Sequence, residues 1–194
     1  EQEIANAIWS FAYSEINDEA LEELMITLAE RAFLKADGFT IQNVANILWS
    51  CSTLYRRGAP VSPIFDIIPV LSEVIVRKAD SANVRELAQI ILACAVFHTS
   101  GAPVSSLLDI LPAVSELAEK RVNGMDPRTI ANVFRAIADL QSAAVGPDLK
   151  RDLLPALVSA IAKRLPSLTV KQIDLDLPEI AYALAKLRSN QPVL

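Results

Sequence analysis

Apolar residues recur along this chain at three- and four-residue steps rather than in strict alternation, the period of a helix with one buried face. Val44, Ala45, Leu48, Cys51, Ser52 and Tyr55 form one such stripe, and Ile47 and Leu54 widen it, so this helix is expected to be covered on more than one side. No segment alternates as a half-buried strand does, and the β-branched residues 74–76 sit in helical spacing. The pattern predicts an all-α fold.

The pattern also repeats. Residues 59–74, APVSPIFDIIPVLSEV, lie over residues 102–117, APVSSLLDILPAVSEL, with nine identities in sixteen positions at an offset of 43. A further 43 residues on, Asp109 and Pro112 fall on Asp152 and Pro155. A second block recurs in the same register at residues 3–12, 43–52, 86–95 and 129–138, anchored on Ala5, Ala45, Ala88 and Ala131. A fifth, altered copy starts at Leu168 with about four residues inserted, and Tyr182 replaces Trp49 only across that insertion. Periods of this length signal stacked supersecondary units. The expected architecture is an α-α superhelix, a right-handed α-solenoid of about four and a half helical hairpins of 40–43 residues, with repeats near 1–38, 39–81, 82–124, 125–167 and a partial 168–194. Glu1 in place of an initiator Met reads as a cut end, and the array as a segment of a longer protein.

Boundary residues support the two-helix unit. Thr40, Asn83 (or Ala82) and Asp126 are expected N-caps, Pro127 fits the first turn of its helix, and Gly58, Gly101 and Gly146 are expected to end helices. Asp66, Asp109 and Asp152 each precede an apolar pair and a proline, Pro69, Pro112 or Pro155. Proline is harmless in a first turn, so these aspartates read as N-caps; one longer helix from Ser62 or Ser105, kinked at the proline, is the alternative.

Composition narrows the function. The 194 residues are 52% hydrophobic and 21% charged, far from disordered chains, and stacked hairpins account for the mean hydropathy of +0.33. The longest nearly apolar stretch, residues 87–97, is about half of the roughly 20 residues a membrane span needs. Net charge is −5, with 7 basic against 13 acidic residues in 1–97 and 11 against 10 in 98–194, so an anionic ligand should prefer the second half. Cys51 and Cys94 share one core column with Phe11 and Ile137 and are expected to be buried free thiols, consistent with a reducing compartment. His98 stands near a helix C-terminus, where its charge would complement the dipole. With no nucleophile elbow, Walker loop or zinc-binding His pair in the sequence, neither catalysis, a cofactor nor a small-molecule substrate is expected.

The informative column follows the anchor alanines: Asn6, Asn46, Gln89 and Asn132, with Gln2, Gln42, Arg85 and Arg128 one turn earlier. Four-residue spacing puts both on one helix face. The amides are read first as an internal ladder bonding repeat to repeat, and otherwise as ligand contacts; Arg85 and Arg128 stand evenly between the two roles. Trp9 and Trp49 are expected to pack between repeats, with stacking on bases as the alternative. The pairs Arg56-Arg57, Lys120-Arg121, Lys150-Arg151 and Lys163-Arg164 complement helix dipoles or hold phosphates, and the acidic run from Asp18 to Glu23 reads as a helix first turn.

The run Q-N-V-A-N-I-L-W-S at residues 42–50 and I-A-N-A-I-W-S-F-A at residues 4–12 resemble the hallmark helix of octotricopeptide repeats and of the related heptatricopeptide arrays associated with RAP domains. That resemblance covers nearly the whole chain and implies an RNA-contacting α-solenoid of mitochondria or plastids, active in transcript processing, translation or ribosome assembly. Two departures stand out, since Leu92 and Arg135 replace the tryptophan in later units and the period is longer than the family's. Repeats of plant-pathogen effectors are also similar, without their Ser-Lys-Trp-Pro signature. Two expectations follow: RNA binding through the polar stripe with phosphate contacts from Arg85, Arg128 and Arg135, or a protein-docking scaffold, which suits the acidic first half.

Overall fold

The computed structural model describes residues 1–13, 19–142 and 153–189. Among them there are helices and no strands. In the first unit α1 (Gln2–Tyr13) precedes α2 (Glu19–Lys35). The second unit holds α3 (Ile41–Arg56), a single turn α4 (Ser62–Phe65) and α5 (Ile68–Lys78). Then come α6 (Val84–Thr99) with α7 (Ser105–Lys120), α8 (Pro127–Ser142) with α9 (Leu153–Arg164), and α10 (Val170–Ser189). The expected helical-repeat architecture is present: α1, α3, α6, α8 and α10 pack in succession as one layer, while α2 with α4, α5 with α7, and α7 with α9 form the second. A single buried cluster runs through both layers. The anchor residues Ala5, Ala45, Ala88 and Ala131 are all buried in it, where a methyl side chain lets consecutive helices approach closely.

Local chemistry sets the start of α3, α6, α8 and α10. Thr40 accepts from the Asn43 N–H while its own N–H donates to Asn43 Oδ1, and Asn83 and Glu86 form the same reciprocal box. Asp126 accepts from the Thr129 N–H. Thr169 and Gln172 rebuild the box 43 residues later, so the fifth copy starts in register and α10 runs to 20 residues against 16 in α3, α6 and α8. At the other end, Gly58 and Gly101 take φ of 80° and 76°, the left-handed cap that suits glycine. Ala59 and Ala102 then donate to the Leu54 and Phe97 carbonyls, closing two Schellman turns.

The aspartate-proline motif behaves differently from the N-cap reading. Asp66 follows the end of α4, and α5 begins after Ile67 with no side-chain cap. Asp109 and Pro112 lie inside the continuous helix α7. The longer helix is therefore the correct reading for the third unit, with the Leu108 carbonyl losing its donor to proline; in the second unit the same sequence breaks into two pieces. Pro69 and Pro155 fall in the opening turns of α5 and α9, whereas Asp152, Gly146, Lys150, Arg151 and Asp18 lie outside the described residues.

Neighbouring units are also tied by a basic column at the ends of the second-layer helices. Lys78 donates to the Asp37 and Phe39 carbonyls, Arg121 to those of Asp80 and Ala82, and Arg164 to that of Asn123. Each reaches back to the turn just before its own unit's first helix, so one cation closes each of these three hairpins.

Candidate functional site

Each of α3, α6 and α8 has two sides against its neighbours in the layer and one against the second layer, which leaves one open face. Along α3 that face carries Gln42, Asn46 and Trp49; along α6 it carries Arg85, Gln89 and Leu92; along α8, Arg128, Asn132 and Arg135. Residues of α1, α3, α6 and α8 together line one hollow of about 310 Å³. Trp9, Tyr13 and Trp49 form one wall. Arg85, Gln89, Arg128 and Asn132 form the other.

The aromatic wall is a tilted stack. Trp9 and Tyr13, four residues apart on α1, have ring centroids 4.5 Å apart, and Tyr13 lies 5.8 Å from Trp49 on α3. Trp49 packs partly on the core. Trp9 does not: it is 42% exposed and Tyr13 is 63% exposed. The helix face that carries Trp9 also carries Tyr13, a signal available in its four-residue spacing but missed in the sequence.

The internal amide ladder is absent. Among the described residues no side-chain hydrogen bond joins Asn6, Asn46, Gln89 and Asn132. Asn6 is exposed and the others are half-buried on the open face. Gln89 and Asn132 line the hollow, while Gln42, Asn46 and Arg135 are on the same face but outside its lining.

The guanidiniums divide. Arg85 is exposed and carries no ion pair among the described residues. Arg128 lies 3.4 Å from the Asp176 carboxylate and Arg135 3.4 Å from Glu179, both on α10, next to a Lys186–Asp139 pair at 2.8 Å. Two of the three arginines expected to hold phosphate are thus held by α10. The basic pairs are largely structural as well: Arg57 donates to the Ala12 carbonyl, Lys120 pairs with Glu116, and Arg121 and Arg164 belong to the column above.

Burial pushes the thiol of Cys51 far up and that of Cys94 to about 12. Both are free and enclosed in the core, which leaves them as space-filling apolar groups at neutral pH. His98 is half-buried in the last turn of α6. No helix among the described residues is long and apolar enough to cross a membrane, and no three His, Cys, Asp or Glu side chains of theirs converge as metal ligands would.

Comparison with models of protein families, with characterised proteins and with solved structures finds no match to this chain. The octotricopeptide resemblance therefore rests on the first-helix motif alone.

Proposed function

We propose that the chain is a non-enzymatic helical-repeat module that takes single-stranded RNA along the open face of its first-helix layer. The observation that carries this reading is the set of unbonded amides, Gln89 and Asn132, across the hollow from an exposed aromatic stack. Bases would stack on Trp9 and Tyr13, the amides would meet base edges, and Arg85 would contact phosphate. Arg128 and Arg135 are withdrawn from that role by their carboxylate partners. An organellar setting in transcript processing, translation or ribosome assembly belongs to the same proposal, through the resemblance.

Fluorescence anisotropy with a randomised single-stranded RNA pool at two salt concentrations tests it. Saturable binding that weakens with salt is the expected result, because each phosphate contact releases counterions. Absence of binding at tens of micromolar protein, well above the dissociation constant of a specific nucleic-acid complex, would transfer the assignment to a protein-docking scaffold. The net charge of −5 favours that second reading.

A further inference from the structure

The opposite face carries its own repeat. Between α2 and α4 with the turn that follows it runs a groove of about 760 Å³ with Ile26, Phe33, Leu34 and Ile67 in its wall. Ile26, Phe33 and Leu34 are 45%, 55% and 75% exposed, a large apolar strip on a helix that buries Leu21, Met25, Ala29 and Ala32. A second groove, about 430 Å³, lies between α5 and α7. Its lining is the first one moved by 43 residues: Glu30 becomes Glu73, Phe33 becomes Val76, Asp66 becomes Asp109 and Ile67 becomes Ile110. The aspartates released from the N-cap role are thus a groove column.

Charge identifies the occupant. In the first groove the charged lining residues are Glu30 and Asp66. Glu73 and Asp109 line the second, where the Arg77 guanidinium is turned aside to Asp37 at 2.8 Å. None of these four carboxylates has an ion pair or side-chain hydrogen bond among the described residues. An apolar trough with two unpaired anions per repeat is complementary to a cationic, apolar chain. Spacing sets its conformation. Packed helices stand about 8–10 Å apart, and a polyproline II chain advances about 9 Å per three-residue turn with every third side chain on one face.

We infer that the second-helix layer binds an extended peptide with a Lys or Arg at every third residue, its cations paired with Glu30/Asp66 and Glu73/Asp109 and its apolar side chains seated on Phe33 and Val76. This is independent of RNA on the other face. The probe is a labelled peptide of four Leu-Pro-Lys triplets, titrated against the 194-residue chain. Saturable binding is expected, and it falls roughly tenfold in an Asp66→Asn/Asp109→Asn double variant, in Phe33→Ser, and for a shuffled peptide of equal composition. Trp9→Ala leaves it unchanged. Circular dichroism melts of the variants verify folding, which these exposed positions do not threaten. Equal affinity in both groove variants, loss on Trp9→Ala, or no saturation at tens of micromolar overturns the inference. So do chain dimers in sedimentation that Phe33→Ser dissolves, since a second copy would then own the groove.

Discussion

The Arg128 guanidinium lies 3.4 Å from a carboxylate, that of Asp176, whose side chain is only 6% exposed. Removing the cation would strand a buried anion, and breaking such a pair is more costly than the pair itself is worth. Because Arg128 is itself largely exposed, the expected loss for Arg128→Ala is about 1–2 kcal/mol rather than the upper range for buried pairs. Arg85 has no such partner, so Arg85→Ala should change stability by no more than about 0.5 kcal/mol while weakening RNA. Urea melts of the two variants decide it: equal midpoints would show that Asp176 does not need Arg128.

Arg121 makes a second class of prediction. It closes its hairpin by donating to the Asp80 and Ala82 carbonyls, and hydrogen bonds from a charged donor contribute about 1.5–3 kcal/mol. Arg121→Ala should therefore cost on the order of 2 kcal/mol. Arg121→Lys should recover much of it, because Lys78 occupies the same column and reaches the equivalent carbonyls. A lysine variant as unstable as the alanine one would mean that the forked guanidinium, reaching two carbonyls at once, and not the charge alone, holds the turn.

These two arginines also show what was legible in the sequence. The repeat register and the Thr40, Asn83 and Asp126 caps were readable because each depends on residues within one turn. The aspartate-proline motif misled because a proline obeys its local rule equally well in a first turn and in a helix that gives up one bond; packing chose between them, differently for Pro69 and Pro112. The sequence leaves Arg128 between a ligand and a structural role and offers Arg135 to phosphate, because their carboxylate partners come from α10, more than 40 residues away. The ladder failed for a related reason: periodicity places Gln89 and Asn132 on one face, but not which side of that face the neighbouring helix occupies.

For the RNA reading, Trp9 is the sharpest probe. It is 42% exposed and stacks on Tyr13, and base stacking on an aromatic side chain is worth about 1–3 kcal/mol. Trp9→Ala should lower RNA affinity by that amount with little change in the melting midpoint, whereas Trp49→Ala should lower both, since Trp49 also packs on the core. Identical RNA affinity in wild type and Trp9→Ala would remove the aromatic wall from the interface.

The thiols give a pH dependence with a defined sign. Cys51 and Cys94 are held protonated by burial, with Cys94 at about 12 and Cys51 higher, while in the unfolded chain both ionise near roughly 8.5. Below that value neither state is ionised, and the full stability is present. As pH rises above it the unfolded chain loses two protons that the native one keeps, so stability falls, by up to about 1.4 kcal/mol per thiol per pH unit, until the native thiols themselves ionise. A Cys51→Ala/Cys94→Ala variant should start less stable at neutral pH, because it leaves two small cavities, yet lose stability more slowly between about pH 9 and pH 10. Parallel curves for the two proteins would show that the thiols ionise in the native state, and rapid native-state labelling by a disulfide reagent would say the same.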